Sequence, residues 1–268
     1  MRISGAVAVV TGASSGIGAA TTVELAQRGA HVVAVARRES RLRAVVEPLR
    51  DQASYVVCDV ASDEDVAAAA ARVLAEHGHI DLLVNDAGTP LHRAFMETPL
   101  ADVARVMDVN YLGTVRWMQA VLPAMAARGR GSIVNVASAA GAAPWTWEAA
   151  YSASKAAVIA LTEAVAPELA RAGVHCAWVN PGLVRTEIFS DEALRHVPPR
   201  VRRSFMEPER VARAICALAE REGAGVSVPR AMGFPPLVRQ LLPRFYRIGL
   251  RRTYDATLRR DAAEGRVP

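Results

Sequence analysis

Lysine is almost absent from this chain of 268 residues: of its 32 basic side chains, all but Lys155 are arginine. Cysteine is scarce as well. Cys58, Cys176 and Cys216 are odd in number, far apart and without a CxxC pair. That excludes a disulfide framework and a cysteine-rich metal site, and leaves three small buried hydrophobes in a reducing compartment. The histidines form neither HxxxH nor HExxH spacing; His77 and His79 merely flank Gly78 at a helix end, so no metal site is expected. No apolar run approaches the roughly 18 residues of a membrane span. The first apolar stretch, 6–10, is too short for a secretory signal and runs directly into glycine-rich sequence. The expectation is a soluble cytoplasmic protein.

The net charge is +5, unevenly spread. Residues 229–268 hold nine arginines against Asp255, Asp261 and Glu264, a net of +6, so the rest of the chain sums to −1. The basic character belongs to the tail, and no nucleic-acid partner is expected.

Short apolar runs rich in β-branched residues recur at 6–10, 31–36, 54–58, 80–84, 131–137, 174–179 and 225–229. They are continuous rather than alternating, as in strands buried on both faces of a parallel sheet. Amphipathic stretches lie between them near 16–28, 39–50, 63–77, 99–127, 148–172 and 207–221. Acidic residues after Ser62 and around Glu207 suit first helical turns, and Gly29, Gly78 and Gly173 suit helix ends. This alternation predicts an α/β protein: a Rossmann-type doubly wound parallel sheet of about seven strands with helices on both faces. Residues 1–229 form one catalytic domain in this reading. Residues 230–268 form a basic, amphipathic C-terminal extension.

After the first strand comes Thr11-Gly12-Ala-Ser14-Ser15-Gly16-Ile17-Gly18, then a helix. Glycines there permit a tight turn and let backbone N–H groups approach a pyrophosphate at a helix N-terminus. The second strand ends at Ala36, followed by Arg37 and Arg38. No carboxylate stands ready for a ribose 2′-hydroxyl, and two cations stand ready for a 2′-phosphate, so the expected cofactor is NADP(H).

The order TGxxxGxG, an Asn-x-Ala-Gly segment, a lone Asn, a Ser, YxxxK and Pro-Gly resembles the short-chain dehydrogenase/reductase family over residues 5–225. The resemblance implies a catalytic set of Asn110, Ser138, Tyr151 and Lys155. It implies cofactor contacts from Gly12, Ser14, Ser15, Gly16, Ile17, Gly18, Arg37 and Arg38, from Asp59 and Val60, and from Asn85, Ala87 and Gly88. Tyr151, Lys155, Pro181, Gly182, Val184 and Thr186 complete that set. Asp86 departs from the family's usual Asn at its position, a change expected to touch local rigidity rather than chemistry.

The residues argue the same case physically. Tyr151 and Lys155 are four apart on a helix and share a face. A free phenol titrates too high for acid–base work at neutral pH, and a neighbouring ammonium favours the phenolate. Ser138 can donate to an oxygen where negative charge develops. A single lysine placed at random would fall four residues after one of the five tyrosines only about 2% of the time, well below the usual false-positive risk of a short motif. An ammonium and a guanidinium are not interchangeable in a tight site.

The expected function is therefore hydride transfer between NADP(H) and a carbonyl or secondary alcohol of a hydrophobic substrate. Two alternatives are a cofactor-sensing binding protein on the same fold and an NAD-dependent epimerase or dehydratase. The first tends to lose the Tyr or Lys, and the second usually has a longer chain and a TGxxGxxG loop. Substrate choice is expected in 183–205, with Phe189, Leu194, Val197, Val201, Phe205 and the basic Arg200, Arg202 and Arg203. Trp145 and Trp147 either line the same cleft or cap the core or a subunit interface. In the extension, Leu237, Val238, Leu241, Leu242, Phe245 and Ile248 share one helical side, and Arg239, Arg244, Arg247 and Arg251 the other. Pro243 should kink or restart that helix. Residues 236–252 suit an anionic membrane surface, or docking on the chain's own fold or a second subunit. A homodimer or homotetramer is expected, through the small residues of 99–127 and 148–172.

Overall fold

The computed structural model describes residues 1–188, 194, 197, 202 and 204–263. Phe189, Arg200, Val201 and Arg203, named above for substrate choice, lie outside the described residues.

Strands β1 (Val7–Thr11), β2 (His31–Ala36), β3 (Ala53–Val57), β4 (Leu82–Asn85), β5 (Gly131–Val136), β6 (Val174–Pro181) and β7 (Gly225–Val228) form one sheet. Its order is β3-β2-β1-β4-β5-β6-β7, and every neighbouring pair is parallel. The order reverses between β1 and β4, which opens a crevice at the carboxyl ends of those strands. Each expected strand appears within about two residues of its sequence position.

Both faces of the sheet are covered, which is why the strand sequences do not alternate. In β1, Ala8 and Val10 point into one core with Leu25 and Ala26 of α1 (Gly16–Gln27) and Leu42 of α2 (Glu39–Val46). Val7 and Val9 point into the other, with Val66 and Val73 of α3 (Asp63–His77). Burying each such valine contributes roughly 1.5–3 kcal/mol relative to exposure. The Ser62 hydroxyl caps α3 by accepting from the Asp65 amide at 3.1 Å, and Gly78 ends it at φ 76°.

The stretch 99–127 is not one helix. It runs as α4 (Leu100–Met107) and α5 (Gly113–Ala127), joined by a π-helical turn over Asp108–Leu112. That turn carries Asn110, and such turns often mark functional positions. A short α6 (Ala139–Ala142) follows β5, then α7 (Ala149–Arg171) and α8 (Pro208–Arg221) complete the layers. The three cysteines are free and buried, and burial pushes their thiols up to about 12.

The extension forms α9 (Phe234–Leu241) and α10 (Pro243–Ala263), with Pro243 starting a new helix as its missing N–H permits. It packs against the segment that follows β5. Arg239 donates to the Ala142 carbonyl at 3.0 Å, the Tyr246 hydroxyl donates to the Pro144 carbonyl, and Tyr254 stacks on Trp147 at 5.2 Å. The face turned inward carries Tyr246 and the buried Thr257. The face turned outward carries Leu237, Leu241, Leu242, Phe245 and Ile248, all about half-exposed or more.

Candidate active site

The loop between β1 and α1 lies at the crevice. Gly12 has φ 70°, and a Cβ there would meet the Ala87 backbone at 2.8 Å. A Cβ on Gly18 would stand 2.5 Å from the Gly12 carbonyl oxygen. Glycine at both positions lets the turn close on itself and on the end of β4. The Thr11 hydroxyl holds that end by accepting from the Asp86 and Ala87 amides, each at 3.1 Å.

A cavity of about 300 Å³ follows from this loop. Gly12, Ser14, Ser15, Gly16 and Ile17 line its floor; Arg37, Arg38, Asp59 and Val60 line one end, and Ala87, Gly88 and Thr186 the other. Arg38 donates to the Ser14 hydroxyl at 3.1 Å and to the Ser15 hydroxyl at 3.0 Å. Arg37 turns instead toward Asp59, at 3.5 Å. The sequence did not distinguish the two arginines; the fold puts Arg38 at the loop. Glu187, which sequence reasoning missed, pairs with both Arg38 and Arg41. The groove thus offers backbone amides at a helix start, two hydroxyls and a guanidinium, a donor set that fits a phosphorylated dinucleotide.

A second cavity of about 390 Å³ adjoins the first and shares Ile17, Asp86, Gly88 and Thr186 with it. Ser138, Tyr151, Lys155, Pro181, Gly182 and Val184 all line it. β5 delivers Ser138 at its carboxyl end, where the hydroxyl caps α6 by accepting from the Ala140 amide at 3.1 Å. The first two turns of α7 deliver Tyr151 and Lys155. The Lys155 ammonium is buried and donates to the Val136 carbonyl at 2.8 Å.

Three predicted residues lie off the cavities. Asn85 is buried within the sheet and donates to the Asn135 side-chain oxygen at 2.9 Å. Gly18 serves the loop's packing. The Asn110 carboxamide is spent on structure: it accepts from the Thr89 amide at 2.7 Å and donates to the Thr89 carbonyl at 3.1 Å and the Ser154 hydroxyl at 2.9 Å. It ties the π-helical turn, the loop after β4 and α7 together.

The electrostatics add to two sequence expectations. The Lys155 charge was expected to lower the Tyr151 phenol. Burial instead pushes the phenol up, the Glu148 and Asp86 carboxylates add to this, and the Ser138 hydroxyl bonded to it works the other way. The change to Asp86 was expected to touch local rigidity rather than chemistry, and the structure adds a charge to that reading. Asp86 sits where the two cavities meet, and burial pushes its carboxyl up while the Lys155 ammonium and the Gly18 amide pull it down. Burial likewise pulls the Lys155 ammonium down, and Asp86 holds it up. Glu148 and Asp86 are electrostatic members of the site that motif spacing did not announce.

A model of the short chain dehydrogenase family matches residues 6–195. The chain belongs to the short-chain dehydrogenase/reductase family. It is 40% identical over 180 residues to an uncharacterized oxidoreductase of Staphylococcus epidermidis, covering 67% of this chain and 78% of that one. It is 37% identical over 239 residues to an A-factor type gamma-butyrolactone 1'-reductase of Streptomyces virginiae, covering 82% and 91% of the two chains. Among solved structures, a variant of actinorhodin polyketide ketoreductase with NADPH matches at TM-score 0.79 and 34% identity, over 85% of this chain and 97% of that one. As a short-chain dehydrogenase/reductase the chain is an oxidoreductase of small molecules that uses a nicotinamide cofactor.

The apolar wall of the second cavity includes Trp145, Leu183, Ile188 and Val197, and Met232, Pro235 and Tyr246 from the C-terminal region. The two tryptophans have parted: Trp145 faces the cleft, and Trp147, at φ 67°, stacks on the extension. Leu194, Arg202 and Phe205 are not among the cleft residues.

Proposed function

We propose that this short-chain dehydrogenase/reductase is an NADP(H)-dependent carbonyl reductase, running in reverse as an alcohol dehydrogenase, on an apolar substrate held in the second cavity. The observation that carries this reading is the continuity of the two cavities. The phosphate-binding loop and Arg38 lie in one, Ser138, Tyr151 and Lys155 in the other, and Asp86 and Gly88 in both. The NADPH in the matched ketoreductase structure supports the same cofactor.

When bound, a nicotinamide supplies hydride to the carbonyl carbon or takes it from the alcohol carbon. Ser138 directs its hydroxyl hydrogen to the carbonyl oxygen, where negative charge develops. Tyr151 gives its proton to that oxygen in reduction and removes it in oxidation. Burial pushes the phenol up and so opposes proton loss, while the neighbouring Lys155 ammonium favours the phenolate that forms as the proton leaves. Lys155 holds the cofactor's ribose hydroxyls with the ammonium hydrogens not given to Val136. Apolar side chains around the cleft exclude water and favour a hydrophobic ketone. Exposed Leu100 and Leu112, at the start of α4 and before α5, fit subunit contacts of a dimer or tetramer.

A panel of aldehydes and ketones with NADPH or NADH, followed by loss of the reduced-nicotinamide absorbance, tests the proposal. Turnover of apolar ketones with NADPH is expected. Tight NADPH binding with no turnover of any carbonyl, and no oxidation of alcohols with NADP, would favour a cofactor-sensing protein.

A further inference from the structure

The C-terminal extension docks with the less apolar of its faces. Tyr246 reaches the Pro144 carbonyl, Tyr254 stacks on Trp147, and Thr257 is buried. This leaves a ridge of large apolar side chains pointing outward along α9 and the first turns of α10. Phe234 is 65% exposed, Leu241 75% and Phe245 69%, with Leu237, Leu242 and Ile248 near half. Six such residues within 234–248 exceed the single scattered exposures normal on a protein surface. Arginines flank the ridge. Arg244, Arg247 and Arg252 carry no ion pair to a described residue, and Arg251 has only a loose one with Asp255 at 3.9 Å.

We infer that this ridge seats on an anionic phospholipid surface, with α9 and the start of α10 lying in the plane of the headgroups. Charge complementarity selects this occupant. A second copy of the chain, meeting the ridge about a two-fold axis, would set residues 234–252, with five arginines and no acidic residue, against themselves. Anionic headgroups neutralise the same arginines while the acyl boundary covers Leu237, Leu241, Phe245 and Ile248, the pattern of an interfacial helix. No described helix is long and apolar enough to cross a membrane, so the contact is with one leaflet.

The seating has a consequence for substrate entry, which rests on the second cavity being the substrate site. Pro235 of α9 and Tyr246 of α10 wall that cavity, on the same helices that carry the ridge. A seated protein therefore holds its cleft beside the lipid phase, where an apolar ketone concentrates.

Sedimentation of the full chain with vesicles tests the seating without reference to turnover. The chain is expected to pellet with phosphatidylglycerol-containing vesicles, weakly with pure phosphatidylcholine, and less as salt rises. The double variant Leu241→Glu, Phe245→Glu should lose vesicle binding and keep its turnover of a water-soluble ketone. Arg244→Gln and Arg247→Gln should each weaken binding about fivefold. A chain that stays in the supernatant with anionic vesicles overturns the inference. So does binding that the double variant leaves intact, or a double variant whose mass by light scattering drops to a smaller oligomer, since the ridge would then be a self-contact. Absence of turnover alone would count against the proposed function and leave the vesicle result standing.

Discussion

Asp86 and Lys155 meet where the two cavities join, each holding the other's charge against the pull of burial. The same carboxylate also raises the Tyr151 phenol. Asp86→Asn removes a negative charge from beside both groups. The phenol then gives up its proton at lower pH, and alcohol oxidation needs the deprotonated phenol. The rising limb of kcat/KM for alcohol oxidation should therefore move to lower pH in the variant. A limb at the same pH as in the parent would make Asp86 electrostatically silent.

Tyr151→Phe removes the transferable proton and leaves the ring in place. Turnover should fall by about 10²–10⁴-fold, the usual scale of general acid–base catalysis. NADPH affinity, measured by fluorescence titration, should stay close to that of the parent. Retained turnover would refute the assignment of Tyr151.

Arg38 stands against Ser14 and Ser15 at the loop, while Arg37 points to Asp59. Arg38→Ala should weaken NADPH binding by about tenfold or more, the scale of a lost charge-assisted hydrogen bond, and leave NADH nearly unchanged. Arg37→Ala should cost less. Equal losses of the two cofactors in Arg38→Ala would remove the argument for a 2′-phosphate site.

Gly18→Ala places a methyl 2.5 Å from the Gly12 carbonyl oxygen, a backbone atom that cannot swing aside. We expect a loss of about 1–3 kcal/mol in stability, the usual cost of overpacking, together with weaker NADPH binding. Thermal unfolding with and without NADPH separates the two effects. An unchanged melting temperature would show that the loop relaxes freely.

The sheet was legible because continuous runs such as Val32–Ala36 have only one economical burial, between two helical layers. That Ser138, Tyr151 and Lys155 share one cleft was legible because they are anchored to a strand end and one helix, where spacing in sequence becomes spacing in the fold. Other features depend on which way a side chain turns after the chain has folded. Adjacent arginines look alike in sequence, yet only Arg38 bonds the loop hydroxyls. Glu148 is one turn ahead of Tyr151, and no motif distinguishes it from any other helix-start carboxylate. The π-helical turn at Asp108–Leu112 inserts into a stretch whose apolar rhythm reads as one helix; it is visible only once Asn110 is seen bonded to Thr89 and Ser154. The extension was legible as amphipathic, but the face it buries is the opposite of the one its leucines suggest.

The scarcity of lysine gives this protein a built-in reporter. Lys155 is 4% exposed, and it supplies the chain's one side-chain amine. A lysine-specific protease therefore has a single bond to cut, inside α7, and an amine-directed label has one side-chain target. Cleavage at that position, or labelling there once the label on the Met1 α-amine is set aside, reads out the opening of this helix and its cleft.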